Sequence, residues 1–219
     1  MKKIILVGAG GHAAELNDYI DYANTFAPPG SRMQLVGVID DNPQNYQDYS
    51  YDAPFLGTIR THMPDSSVQY LLGIANLTYR ERIVCLLQER GAEFTGFIHP
   101  SAFVSKSASI GQGVVIAPNA TIGPSASVGD FTLVNSRCSI AHNSKVGKYN
   151  SLSSNVCLSG NSRVGDNNLF GINSATIPDV RVGSRNKVMA GITLVHSIGD
   201  DQVVFYRYKE KITLPVSDK

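Results

Sequence analysis

His142 and Gly160 lie eighteen residues apart in a chain whose apolar residues recur every six. If six residues span one face of a three-sided coil, eighteen complete a turn. Both residues then share one edge, about 5 Å apart, the spacing of neighbouring strands. An imidazole whose unperturbed pKa is about 6.5 can act as a general base at neutral pH. A backbone N–H one coil away can hold an oxyanion, which acyl transfer requires. Each residue also has a plainer reading: His142 as a solvated surface side chain, Gly160 as a residue that permits a turn. Placement matters here, because a flat prism face that stacks beside another copy would put the histidine in a groove between subunits.

A second group of residues lies near the amino end. Gly8-Ala9-Gly10-Gly11-His12 follows a short apolar run, and Gly8, Gly10 and Ala13 fit G-x-G-x-x-[G/A]. Such glycines let the backbone approach a ligand, and the helix that follows favours phosphate at its amino end. The doubled glycine followed by histidine differs from the usual dinucleotide fingerprint. It suggests a nucleotide-sugar phosphate cradle, with His12 donating to a sugar or phosphate oxygen or simply starting the helix. Asp40 and Asp41 end the next apolar run, where such folds hold a ribose hydroxyl; a solvated turn before Pro43 is the other reading. A nicotinamide-dinucleotide site fits poorly, because Asp40 lies 27 residues beyond Ala13. A metal centre is not expected. His142 and His196 are 54 residues apart, three full coils, hence roughly 14 Å at strand spacing, and no local histidine pair exists.

The elements that must position these residues follow from two periods. From Ile98 to Leu194, every sixth residue is apolar except Thr176. Neither a helix nor an ordinary strand has that period; a hexapeptide β-helix does. Gly111, Gly129, Gly147, Gly165 and Gly183 recur at spacing eighteen, which suits one sharp corner per three-sided coil. The repeat predicts about five coils and fades after Leu194, where Val203, Val204, Phe205, Tyr206, Ile212 and Leu214 could cover the open end and its strand edges. Ahead of the repeat, Lys3 to Val7, Gln34 to Ile39, Gln69 to Ile74 and Glu93 to Ile98 read as strands. Ala13 to Ala23 and Thr78 to Glu89 read as helices. The expected architecture is an α/β, Rossmann-like unit over 1–97, an all-β parallel β-helix over 98–200 and a tail over 201–219. The first unit has the size of one mononucleotide-binding half.

Composition narrows the partners. A formal charge of +1 over 219 residues, with no Lys/Arg cluster or basic stripe expected, argues against nucleic acid. No stretch approaches a membrane span. The apolar run after Met1-Lys2-Lys3 is too short for a signal peptide. Three cysteines without CxxC spacing read as reduced thiols of a cytoplasmic protein.

The order VGAGGHA, VIDDN, PFLG, GIAN, FIHPSAFV, then coils carrying NSRCSIAHNSKVG resembles the PglD/NeuD-type sugar acetyltransferases, over nearly the whole chain to about Leu194. The resemblance implies a left-handed β-helix and a homotrimer with acetyl-CoA in grooves between neighbouring coils. It places the catalytic base on His142, within N-[ST]-x(5)-H (Asn135-Ser136 then His142), and the oxyanion amide on Gly160. Nucleotide-sugar contacts fall on Gly10, Gly11, His12, Asp40, Asp41, Gly57 and Asn76, and coenzyme contacts on Ser151, Gly160, Ile172, Ala190 and Gly191. It implies N-acetylation of a UDP- or dTDP-linked 4-amino-dideoxy sugar for surface glycans, with no metal. The alternatives are O-acetylation of a sialic-acid-like sugar and a non-catalytic nucleotide-sugar-binding trimer. Two positions depart from the family. Asn143 stands where members carry Asp or Glu beside the base, and GDDQVVFYRYKEKI replaces the usual closing run.

Overall fold

The computed structural model describes residues 1–206. The amino-terminal unit contains β1 (Lys2–Val7), α1 (Gly11–Phe26), β2 (Met33–Ile39), α2 (Pro43–Gln47), β3 (Gln69–Leu72) and α3 (Leu77–Glu89). The three strands form a parallel sheet in the order β2-β1-β3. β1 is central, and Ile4 to Val7 are buried on both faces, as an apolar run without alternation requires. Asn42 and Asn76 cap α2 and α3, accepting from the N–H of Gln44 and Thr78.

The run 93–98, expected as a fourth strand of this sheet, divides instead. Phe94 makes a single bridge to Tyr70, and Phe97–Ile98 already pairs with Val115–Ile116 of the coil. Gly96 lies against the backbone of Val114, where a Cβ would meet the carbonyl oxygen at 2.5 Å. That close approach carries the chain out of one sheet and into the other.

From Phe97 onward the chain is a parallel β-solenoid of two-residue strands. Among the described residues its three faces hold seven, six and five strands. The first face runs from Phe97–Ile98 to Val203–Val204, the second from Phe103–Val104 to Thr193–Leu194, and the third from Ser109–Ile110 to Arg181–Val182. Strand partners sit eighteen residues apart, for example Ile140 with Leu158. The six-residue column fills the prism with Ile116, Ile122, Val128, Val134, Ile140 and their successors. Its first member is an exception: Ile98 is 47% exposed, because no coil precedes it.

Three expectations change. The solenoid is longer than five coils. Val203–Val204 pairs with Lys187–Val188 at a spacing of sixteen, so the last turn is two residues short and the six-residue count loses phase. The expected covering residues Ile212 and Leu214 lie outside the described residues. The glycines at spacing eighteen do not supply the sharp corner. They stack on one another's backbone, and a Cβ on Gly129 would lie 2.6 Å from the carbonyl carbon of Gly147. From Ile116 to Val182 the left-handed turn residue comes three places after each column residue, at φ between 54° and 64° from Asn119 to Arg185, and is mostly Asn or Asp, the non-glycine residues that tolerate that conformation best.

The six-residue column also has a partner column two residues earlier. On the first face it is polar and fully enclosed from Thr132 onward. Thr132, Asn150, Asn168 and Asn186 are each 0% exposed. The Oδ1 of Asn150 accepts from the backbone and side-chain nitrogens of Asn168, and the Oδ1 of Asn168 accepts from those of Asn186. Buried amides are tolerated because the ladder satisfies them coil by coil.

The two units are packed together. Phe97, Val115 and Leu133 of the first face share a core with Ile4, Leu6, Leu16 and Ile20. Arg80 of α3 is fully buried and donates to the carbonyls of Ile74 and Phe131, bridging helix and solenoid. Burial pushes its guanidinium down to about 10. Among the described residues no helix is long and apolar enough to cross a membrane.

Candidate active site

The coil brings His142 and Gly160 together at the edge between the second and third faces. Both follow second-face strands, Ser139–Ile140 and Cys157–Leu158, which are hydrogen-bonded partners. The imidazole lies directly over Gly160: a Cβ there would stand 2.7 Å from Cε1 and 2.8 Å from Nε2 of His142. Glycine is thus required for space, whatever its turn preference. No hydrogen bond among the described residues takes up the Gly160 N–H, whereas its carbonyl accepts from Asp179 N at 3.1 Å. The edge therefore offers an unpaired donor beside an exposed imidazole.

Asn143 owes its identity partly to the backbone, for it occupies the recurring left-handed position with φ 58°. Its Nδ2 lies 3.1 Å from His142 Nδ1. In that arrangement the amide donates, and a neutral ring carries its proton on Nε2. Turning the amide end for end places Oδ1 against Nδ1–H and leaves Nε2 as the free base. No carboxylate contacts the ring among the described residues.

The glycine loop borders a cavity of about 710 Å³ lined by Gly10, Gly11, His12, Asp40, Asp41 and Asn76, among others. Gly8 adopts φ 104°, and a Cβ there would meet the Ile74 side chain at 2.6 Å, so both space and conformation demand glycine. The His12 side chain is 8% exposed; Nδ1 faces Glu15 Oε2 at 3.2 Å, while Nε2 is buried and has no partner among the described residues. A buried, unpaired ring nitrogen on a cavity wall is a ready contact for a polar ligand atom.

Asp40 lines the cavity and is also held by the protein itself. Its Oδ2 accepts from Ala9 N at 2.7 Å, and its Oδ1 accepts from Asn42 N at 2.7 Å and Asn45 Nδ2 at 3.2 Å. These bonds tie the glycine loop to the end of β2. Asp41 is more open and pairs with Arg60, which also donates its backbone N–H. Asn76 uses Oδ1 as the α3 cap. Gly57 does not line the cavity; its carbonyl accepts from Asp40 N behind it.

Several contributors lay outside the sequence motifs. Tyr79 and Arg82, one helical turn apart at the start of α3, line the cavity with Arg60. Tyr51 donates to the Ala9 carbonyl at 2.7 Å and so holds the loop's shape. The i, i+3 spacing of Tyr79 and Arg82 was legible, but the face they present depended on how α3 docks.

The expected coenzyme contacts, Gly160 apart, lie elsewhere on the prism. Ser151 is on the first face and is 5% exposed. Ile172, Ala190 and Gly191 stack at the edge between the first and second faces, joined by the Gly191 N–H to Ile172 carbonyl bond of 2.9 Å. Within one chain they stand on a different edge from His142. Among the described residues no cluster of His, Cys, Asp and Glu is arranged to hold a metal ion.

The sequence model of the PglD N-terminal domain matches residues 3–87. A curated relative, UDP-N-acetylbacillosamine N-acetyltransferase of Bacillus subtilis (strain 168), is 32% identical over 120 residues, 53% of this chain. The match spans about half of that relative, 51% of its length. The acetyltransferase domain of PglB from Neisseria gonorrhoeae FA1090, solved in complex with acetyl coenzyme A, is 26% identical with a TM-score of 0.80, covering 92% of this chain and 95% of its own. PerB from Caulobacter crescentus, solved with CoA and GDP-perosamine, shares the fold at 22% identity and a TM-score of 0.79 over 93% of both chains. The amino-terminal unit is thus similar to the PglD N-terminal domain, and the chain as a whole is similar in fold, over nearly its full length, to the PglB acetyltransferase domain.

Proposed function

We propose that the protein transfers acetyl from acetyl-CoA to the amino group of a nucleotide-linked 4-amino-dideoxy sugar. The observation that carries this reading is the His142 ring lying over Gly160, with the Gly160 N–H unpaired among the described residues. The sugar amine attacks the thioester carbonyl carbon, and the new C–N bond places negative charge on the carbonyl oxygen. The Gly160 N–H donates to that oxygen. Nε2 of His142 accepts the amine proton and returns it to the sulfur as the C–S bond breaks. CoA leaves as the thiol.

The amino-terminal cavity is the site for the nucleotide sugar. Gly10, Gly11 and the open end of α1 suit phosphate oxygens, and the unpaired His12 Nε2 suits a sugar or phosphate oxygen. Asp40, Asp41 and Asn76 complete the polar wall, while Gly57 supports it from behind. A homotrimer gives the most economical account of the remaining positions. His142 stands on one edge of the prism and Ser151, Ile172, Ala190 and Gly191 on another face and edge. Side-by-side copies bring unlike edges together and leave acetyl-CoA a groove between them. No metal takes part. The three unpaired cysteines agree with a reducing, cytoplasmic setting.

The missing carboxylate beside His142 favours N- over O-acetylation. An unprotonated amine is a stronger nucleophile than a hydroxyl and needs less help from the base. The test is turnover of acetyl-CoA with a set of UDP- and dTDP-linked aminosugars, followed by thiol release. His142→Ala should lose about 10²–10⁴-fold in kcat, the usual worth of a general base, with an unchanged unfolding transition. Unchanged turnover in that variant removes His142 as the base, and absence of turnover in the native protein leaves a binding module.

A further inference from the structure

The third face carries a charge pattern that the catalytic reading does not use. Its outward residues run Ser109, Ser127, Lys145, Arg163, Arg181 up the prism, each on a strand paired with the next. Lys145, Arg163 and Arg181 are thus in register on adjacent parallel strands, about 4.8 Å from one backbone to the next. All three are exposed. Among the described residues no hydrogen bond or ion pair reaches their side chains. Like charges directly opposite one another on neighbouring strands repel.

The next edge shows that the fold can avoid this. There Asp130, Lys148 and Asp166 alternate in sign at the same eighteen-residue step. Lys148 Nζ meets Asp130 Oδ2 at 2.8 Å, and Lys148 N donates to Asp166 Oδ1 at 2.7 Å. One coil system therefore holds a compensated stack and an uncompensated one. The uncompensated one begins three residues after His142, level with it, and climbs two coils towards the carboxyl end. It flanks the edge where the thioester would sit.

Resting on the proposed acetyl-CoA reaction, we infer that Lys145, Arg163 and Arg181 bind the phosphates of the acyl donor. Three guanidinium or ammonium groups in a row fit a run of phosphate oxygens, and charge-assisted hydrogen bonds to phosphate relieve their mutual repulsion. The thioester end lies at Gly160 and His142, and the phosphate end lies along the row. The nucleoside diphosphate of the sugar carries the same chemistry, and the experiment separates the two.

Serine already fills the row at Ser109 and Ser127, so it is the replacement that the face accommodates. A variant with Lys145→Ser, Arg163→Ser and Arg181→Ser should weaken CoA in a calorimetric titration and raise KM for acetyl-CoA by about tenfold or more, as loss of charge-assisted contacts implies. KM for the sugar nucleotide and kcat should stay put. Acetyl-pantetheine, which has no phosphate, should serve native and variant proteins equally. The thermal midpoint should hold or rise, since repulsion is removed. A CoA affinity changed less than twofold in a folded variant overturns the assignment and leaves the proposed function standing. A rise in KM for the sugar nucleotide alone overturns it in favour of the acceptor. A native protein that binds no CoA overturns both.

Discussion

Asn143 answers to two demands at once. The coil asks for a residue that accepts a left-handed backbone, and the base beside it asks for a partner. Asparagine meets the first well and the second in part, since an amide fixes the ring but cannot balance an imidazolium charge. Aspartate tolerates the same backbone. Asn143→Asp should therefore fold normally, move the acid limb of the kcat/KM profile to higher pH and raise kcat roughly fivefold, which about 1 kcal/mol of imidazolium stabilisation gives. Kinetics across pH 5.5–9 (about seven points) would check it. A profile that stays in place would mean the ring is oriented by something other than residue 143. Asp40 teaches a related lesson: one hydrogen bond from Ala9 of the glycine loop and two from Asn42 and Asn45 of its own segment make it a tie within the cavity wall, which its position at the end of β2 alone could not reveal.

At the scale of elements, the solenoid is held by two inner columns, not one. The aliphatic column supplies apolar burial. The column two residues earlier supplies register, because the Thr132–Asn150–Asn168–Asn186 ladder bonds each coil to the next from inside. Asn168→Leu keeps the approximate volume but leaves the Asn186 backbone N–H and Nδ2 without their acceptor, while Asn150 Oδ1 keeps only the backbone N–H of residue 168. It should cost about 2–3 kcal/mol in a chemical-denaturation measurement, the penalty for stranded buried polar groups. A loss below 1 kcal/mol (roughly the worth of one ordinary hydrogen bond) would show that the ladder is not structural. Gly129, Gly147 and Gly165 act at this scale too, since their stacked backbones set how closely coils can approach on that edge.

The whole molecule is two units clamped by aromatic and cationic side chains. His99, at the start of the solenoid, stacks on Tyr22 and meets Tyr19 edge-on, and its Nδ1 accepts from Ser101 N at 3.1 Å. Burial lowers its pKa from 6.5. Burial, and then Arg90, do the same to His62. The unfolded chain therefore takes up protons first as the pH falls through 6.5. The contribution from keeping these rings neutral is complete above that value and is lost progressively towards the lower folded values. The thermal midpoint should fall between pH 7.5 and pH 5 (about five buffers), and His99→Gln should flatten part of that slope. A midpoint independent of pH would detach both histidines from folding.

The sequence by itself determined the solenoid, because a period of six survives only if every repeat meets the same wall. It also determined the pairing of His142 with Gly160, since an eighteen-residue step needs no knowledge of anything outside the coil. The glycine loop was legible for a similar reason: strand, loop and helix are contiguous. Tertiary structure decided what depends on contacts between distant segments. It used Asp40 as a tie, turned Tyr79 and Arg82 into the cavity, moved Phe97 from one sheet to the other and carried the coil on through Val204 after a turn two residues short. It also exposed the inner polar ladder, which hides in the sequence because Thr132, Asn150, Asn168 and Asn186 look like surface until hydrogen bonds between coils enclose them.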